Sequence, residues 1–234
     1  MFVGVLRFSL DIVGARTLKD KRSVVRSLKE RVQGRLKVRP RTTLLLDLET
    51  GTIDFQSDGG GTRDSAANTV MAGAEFDPSG PMRGFVKAGI KDLSPDGEFE
   101  GFHGFVADAA LSARIFGRGE VRAIYQRNTG FSTLGDNLFY VQDHRGLGYE
   151  HYITTRLSVL LERHLYESDY PVPLLGQIPP HRTDDVTGDT LSVRYRLGPS
   201  LRVGLSFGRW DRDSTIDSED ATRNTISTLL EYTP

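Results

Sequence analysis

With 234 residues, 38% of them hydrophobic, the chain is long enough for one large β domain or two ordinary domains. Its formal net charge of -1 leaves no nucleic-acid footprint over the whole chain, and the absence of cysteine excludes a disulfide framework and thiolate metal sites. No run of about eighteen apolar residues occurs, so a transmembrane helix is excluded, whereas a transmembrane barrel, whose lumen-facing residues are polar, is not.

Residues 1–40 predict a β-strand followed by a basic amphipathic α-helix. Phe2, Leu6, Phe8, Leu10 and Ile12 fall on one face of the strand, with Arg7, Ser9 and Asp11 opposite. Thr17 and Asp20 suit the exposed amides of a helix start, and Leu18, Val25, Leu28 and Val32 then recur at helical spacing. Lys19, Lys21, Arg22, Arg26, Lys29, Arg31 and Arg35 cover the rest of that helix, as a solvated face or as an RNA or phosphate contact surface. The opening is a poor export signal: its apolar run comes first, is broken by Arg7 and Asp11, and the positive charges follow.

The stretch "GARTLKDKRSVVRSLKERV" resembles the start of the YlxP-like family, a domain of unknown function whose genes sit beside ribosome-maturation genes. The resemblance covers about residues 1–38 and implies a separate β-α fragment from a compact ferredoxin-like fold. The expected organisation is therefore a YlxP-like fragment at 1–40 and a β-barrel domain at 41–234.

Residues 41–234 read as an all-β, antiparallel, up-and-down meander of ten strands. The candidates are about 43–55, 67–76, 82–92, 103–116, 120–131, 137–150, 155–168, 189–197, 201–211 and 223–232. Several alternate with period two. Leu157, Val159, Leu161 and Leu165 share one side, against Arg156, Ser158, Glu162, His164 and Tyr166, with Leu160 as an exception. Leu191, Val193, Tyr195, Leu201, Val203, Leu205 and Phe207 oppose Ser192, Arg194, Arg196, Arg202, Ser206 and two glycines. Short turns ("DPSGP", "GRG", "YITT", "GPS") alternate with longer polar loops such as "QSDGGGTRDSA" and "DYPVPLLGQIPPHRTDDVTG". That alternation gathers the short turns at one end, as in bacterial outer-membrane barrels, closed or partial. Phe76, Phe116, Phe131, Tyr152, Tyr166, Tyr170, Trp210 and Tyr232 sit near strand ends, where interfacial aromatic girdles lie.

The stretches "YVQDHRGLGYEHYITTRLSVLLERHLYES" and "LSVRYRLGPSLRVGLSFGRW" resemble the outer-membrane β-barrel porin-like family, some of whose members are encoded with exopolysaccharide-export genes. Three elements carry it: Arg145 to Tyr152, Arg156 to Val159, and the turn Gly198 to Gly204. The resemblance covers about 41–234 and implies passage of small polar solutes or an accessory role in exopolysaccharide export. It also implies outer-membrane lipid as a partner, a small polar or saccharide solute, and no enzymatic activity. Lipid-facing arginine near mid-bilayer costs about 2–4 kcal/mol, so in a barrel the arginines must face inward. The expected lumen-lining set is Asp108, Arg114, Arg122, Arg156, Glu162, Arg194, Arg196 and Arg202. An arginine-rich wall attracts anions, unless carboxylates neutralise it.

Other patterns carry no chemistry. "DRDSTIDSED" lacks the glycine and final glutamate of a calcium loop and reads as a solvated external loop. Asp143 and His144 are adjacent on a strand and point to opposite faces, which defeats a catalytic pairing. His103, His151, His164 and His181 show no metal-ligand spacing, and no cofactor or metal is expected. Two alternatives remain open at this level. One is a soluble β-barrel binding a small ligand. The other is a cytoplasmic YlxP-like ribosome- or RNA-associated protein, acting through Lys19, Lys21, Arg22 and Arg26.

Overall fold

Each strand finds its hydrogen-bonding partners in its sequence neighbours. The structure, a computed structural model, describes residues 7–12, 24–56, 64–77, 79–96, 99–132, 138–171 and 181–232. Twelve strands form one sheet in chain order: β1 (Arg7–Ile12), β2 (Val24–Arg39), β3 (Thr42–Gln56), β4 (Ser65–Phe76), β5 (Met82–Pro95) and β6 (Phe102–Ile115). They continue as β7 (Gly119–Phe131), β8 (Phe139–Tyr152), β9 (Leu157–Tyr170), β10 (Arg182–Arg196), β11 (Leu201–Ser214) and β12 (Ala221–Tyr232). Every neighbouring pair is antiparallel, and β1 and β12 are the two edges of the sheet among the described residues.

The ten strands expected over 41–234 correspond to β3 through β12. One boundary moves appreciably. The polar segment from Arg182 to Gly188 was expected in a loop and instead opens β10, because its charges are paired rather than solvated. Arg182 Nη2 lies 2.9 Å from Asp184 Oδ2, Arg212 Nη2 donates to the same oxygen at 2.6 Å, and Ser214 Oγ donates to Asp184 Oδ1 at 2.5 Å. Buried charges persist only when paired in this way.

The basic helix is corrected over its second half. Val24–Arg39 is a strand paired along β3, with Arg26 opposite Asp54 in register. Leu28, Val32 and Leu36 recur every four residues, which suits one face of a helix and equally one face of a strand. Pairing with β3 decides in favour of the strand. Lys19, Lys21 and Arg22 lie outside the described residues. The expected divide at residue 40 falls in the tight turn between β2 and β3.

The two faces of the sheet differ in kind. On one, Leu161, Leu205 and Phe207 remain 54%, 56% and 51% exposed, in a belt continued by Leu46, Val70, Ile90, Phe105 and Val193. On the other, polar residues such as Ser158, Ser192 and Glu120 are buried. A soluble β protein has the opposite arrangement, with apolar residues in and polar residues out. Above the belt, toward the long connections, the outer face turns charged through Arg145, Glu167, Arg163, Asp189 and Arg209.

Curvature is also legible in the contacts. Strands two apart in a sheet lie about 10 Å from one another, so their side chains meet only on a concave face. Here Lys87 of β5 reaches Asp47 of β3 at 3.1 Å, and Arg83 of β5 reaches Glu120 of β7 at 2.6 Å. Lys91 of β5 donates to Asn128 of β7 at 3.1 Å. The concave side is the polar side.

Two features shape the ends. The β6–β7 ladder stops at Ala107 and Arg127, although both strands run on. Beyond that point Leu93, Leu138 and Phe139 pack together, with the Phe102 and Phe139 rings edge-on at 5.8 Å. At the opposite end, the β4–β5 turn is tied by Asp77, which accepts the Ser79 N–H at 2.8 Å. That backbone hydrogen bond holds the Asp77 carboxyl below the usual carboxylate range.

Candidate functional site

The inward residues of β5 to β11 nearest the short turns converge on a cavity of about 340 Å³. Alternation and register place them: Ser158 on β9 stands opposite Arg194 on β10, Arg196 N–H donates to the Arg156 carbonyl just before β9, and register sets Arg196 opposite Arg202. The wall carries Arg83, Arg114, Arg122, Arg156, Arg194, Arg196 and Arg202 against only Glu120 and Glu150. The excess is five positive charges.

The two glutamates act as staples. Glu120, 2% exposed, accepts from Arg83 Nη2 at 2.6 Å and from Arg122 Nε at 2.9 Å. Glu150 accepts from Arg122 Nη2 and, at 2.7 Å, from Ser158 Oγ, with Arg194 Nη1 at 3.9 Å. Arg202 lies 3.4 Å from Glu231 at the edge of the group. Among the described residues, Arg114, Arg156 and Arg196 have no carboxylate partner. Crowded guanidiniums without counter-charges leave a positive field focused at one mouth of the concave face.

Six of the eight expected lumen residues therefore come together: Arg114, Arg122, Arg156, Arg194, Arg196 and Arg202. The other two lie elsewhere on the same face. Asp108 sits farther along the wall, 3.5 Å from Lys87, which also binds Asp47. Glu162 faces inward between Gly148 and Thr190, nearer the long connections. Sequence reasoning missed Arg83, Glu120 and Glu150. Arg83, Lys87 and Lys91 do stand in phase against Met82, Val86 and Ile90, so the signal for Arg83 was present.

The aromatic expectations divide. Phe116 and Tyr232 are exposed at strand ends, whereas Tyr152 lines the arginine cavity and Tyr166 and Trp210 turn inward by register. Asp143 and His144 do point to opposite faces. Asp143 takes hydrogen bonds from Tyr125 Oη and Arg127 outside, and His144 meets His164 inside. Among the described residues, no group of three or more His, Asp or Glu could hold a metal ion.

An apolar outer face backed by a concave, arginine-rich inner face is the arrangement of a transmembrane β-barrel wall. The chain belongs to the family described as "Putative beta-barrel porin 2", whose model matches residues 12–232. No curated protein sequence matches it. Among solved structures it is similar to the FrpB iron transporter from Neisseria meningitidis (F3-3 variant), with TM-score 0.62 and 9% identity. That match covers 90% of this chain and 41% of FrpB, so the chain spans about two fifths of the FrpB length. The CymD monoaromatic hydrocarbon channel matches with TM-score 0.43 and 10% identity, covering 98% of this chain and 78% of that one. OmpT with loop L8 deleted, an outer membrane protein of Vibrio cholerae, matches with TM-score 0.41 and 10% identity, covering 98% and 99%. The family match and the fold together make the chain a porin-like β-barrel protein.

Proposed function

We propose that this chain forms the wall of an outer-membrane pore for small polar solutes, and that its arginine mouth makes the pore prefer anions. The observation that carries the reading is the imbalance of seven arginines against two glutamates around one cavity. Rings of arginine or lysine draw anions into a pore, and a low-dielectric wall focuses that field. Arg114, Arg156 and Arg196 carry the selectivity, since no carboxylate neutralises them among the described residues. Glu120 and Glu150 hold Arg83, Arg122 and Arg194 in place, and Glu231 holds Arg202.

Reconstitution in planar bilayers under a KCl gradient tests this. The native chain reverses on the anion-selective side. The triple variant Arg114→Gln, Arg156→Gln and Arg196→Gln leaves every glutamate staple intact and moves the reversal potential toward zero. Cation selectivity in the native chain, or no shift in the triple variant, overturns the reading.

A further inference from the structure

About 27 Å along β9 from Arg156, the same concave face carries rings instead of charges. His144 of β8 stacks on Tyr166 of β9, with centroids 4.1 Å apart and planes 7° from parallel. His144 Nε2 lies 2.9 Å from His164 Nδ1, and the His164 ring lies 6.1 Å from Trp210 of β11 at 18°. These four side chains come from three strands and are all partly exposed.

Glycines make the floor. Gly146 stands opposite His164 on β8, and Gly188 stands on β10 between His164 and Trp210. A Cβ on Gly188 would lie 2.3 Å from ring carbons of Trp210, and one on Gly146 would lie 3.0 Å from His164 Nδ1. His164 and Trp210 therefore lie over bare backbone with ring planes 18° apart, and His144 and Tyr166 stack beside them. A cluster serving only to fill space would be buried. This one keeps apolar ring faces at the wall of a polar channel.

The surroundings select a ligand chemistry. Gln126 stands opposite His144 on β7, and Glu162 and Thr190 stand one pleat toward the arginine mouth. A solute stacked here meets π faces beneath it and hydrogen-bonding groups at its edge. A pyranose ring has that character, with C–H groups on its faces and hydroxyls around its rim. A planar hydrocarbon would instead strip water from Gln126, Glu162 and Thr190 and return nothing.

We propose that His144, His164, Tyr166 and Trp210 form a saccharide-binding ledge on the lumen wall, which stacks the C–H face of a sugar ring. The inference rests on the reading of this face as the lumen of a pore, and it names the solute class.

Trp210 is the chain's one tryptophan, so its emission reports on the ledge alone. The full chain, folded in detergent, is titrated with maltohexaose. Saturable change in Trp210 emission is expected, with binding weakened about tenfold by Tyr166→Ala. Tyr166→Leu, which keeps bulk without the ring face, serves if the alanine variant does not fold. Gly188→Val, which displaces Trp210 from its floor, should weaken binding comparably. No saturable change in folded native protein overturns the ledge, as does a response to benzoate with none to maltohexaose. The pore reading is separated by the reversal potential. A flat titration with intact anion selectivity sinks the ledge alone, and a saturable one without selectivity sinks the anion reading alone.

Discussion

Phe116 occupies the left-handed region at φ 49° while its side chain is 96% exposed, and Gly117 follows at φ 69° in the β6–β7 turn. A bulky L-residue there sets its Cβ against the following carbonyl, at a cost of about 1–2 kcal/mol that Asn largely avoids. Phe116→Asn should therefore stabilise the chain by about 1 kcal/mol, read as a higher urea midpoint in lipid vesicles. An unchanged or lower midpoint would mean that the aromatic ring's seat in the headgroup region offsets the backbone strain. Glu120 shows the opposite balance at the same scale. It is a charge taken out of water, and two guanidiniums within hydrogen-bonding distance compensate it.

At the scale of the element, one strand separates two solvents residue by residue. On β11, Leu205 faces out and is 56% exposed, while Ser206 faces in and shares a 2.7 Å hydrogen bond with Ser192. Leu205→Arg places a charge in hydrocarbon and should cost about 2–4 kcal/mol of unfolding free energy in vesicles. Ser206→Arg, one residue on, adds the same charge to the lumen and should lose only the serine contact, about 1 kcal/mol. Equal costs at the two positions would contradict the assigned sidedness. The β2 strand teaches the complementary lesson. Its apolar residues at four-residue spacing are compatible with both periods, and only the β3 partner distinguishes them.

At the scale of the molecule, the sheet runs from β1 to β12 without a crossover, with its polar face concave and its apolar face outward. Because the chain has no cysteine, an introduced thiol is a single reporter of the medium around it. In reconstituted protein, Gln126→Cys and Thr190→Cys should react with an anionic, water-soluble thiosulfonate, and Leu161→Cys and Val193→Cys should not. The reactive pair should slow as salt screens the arginine mouth. Comparable reaction at Leu161 and Val193 would place water on the outer face and remove the membrane reading.

Much of this was written into local order. Period-two alternation marked several of the ten strands and assigned their faces. Alternating short and long connections set the up-and-down path, and the cost of arginine in lipid turned the charged face inward. These properties depend on neighbours a few residues away, so sequence by itself determined them. The arginine mouth was legible for the same reason, since Arg194, Arg196 and Arg202 flank one tight turn. The fate of Val24–Arg39, the glutamate staples and the ring ledge were decided only by tertiary structure. Each depends on which residue of one strand lies beside which residue of the next. His144, His164 and Trp210 become neighbours through the stagger of four strands, and that stagger belongs to the hydrogen-bonded sheet rather than to any segment of the chain.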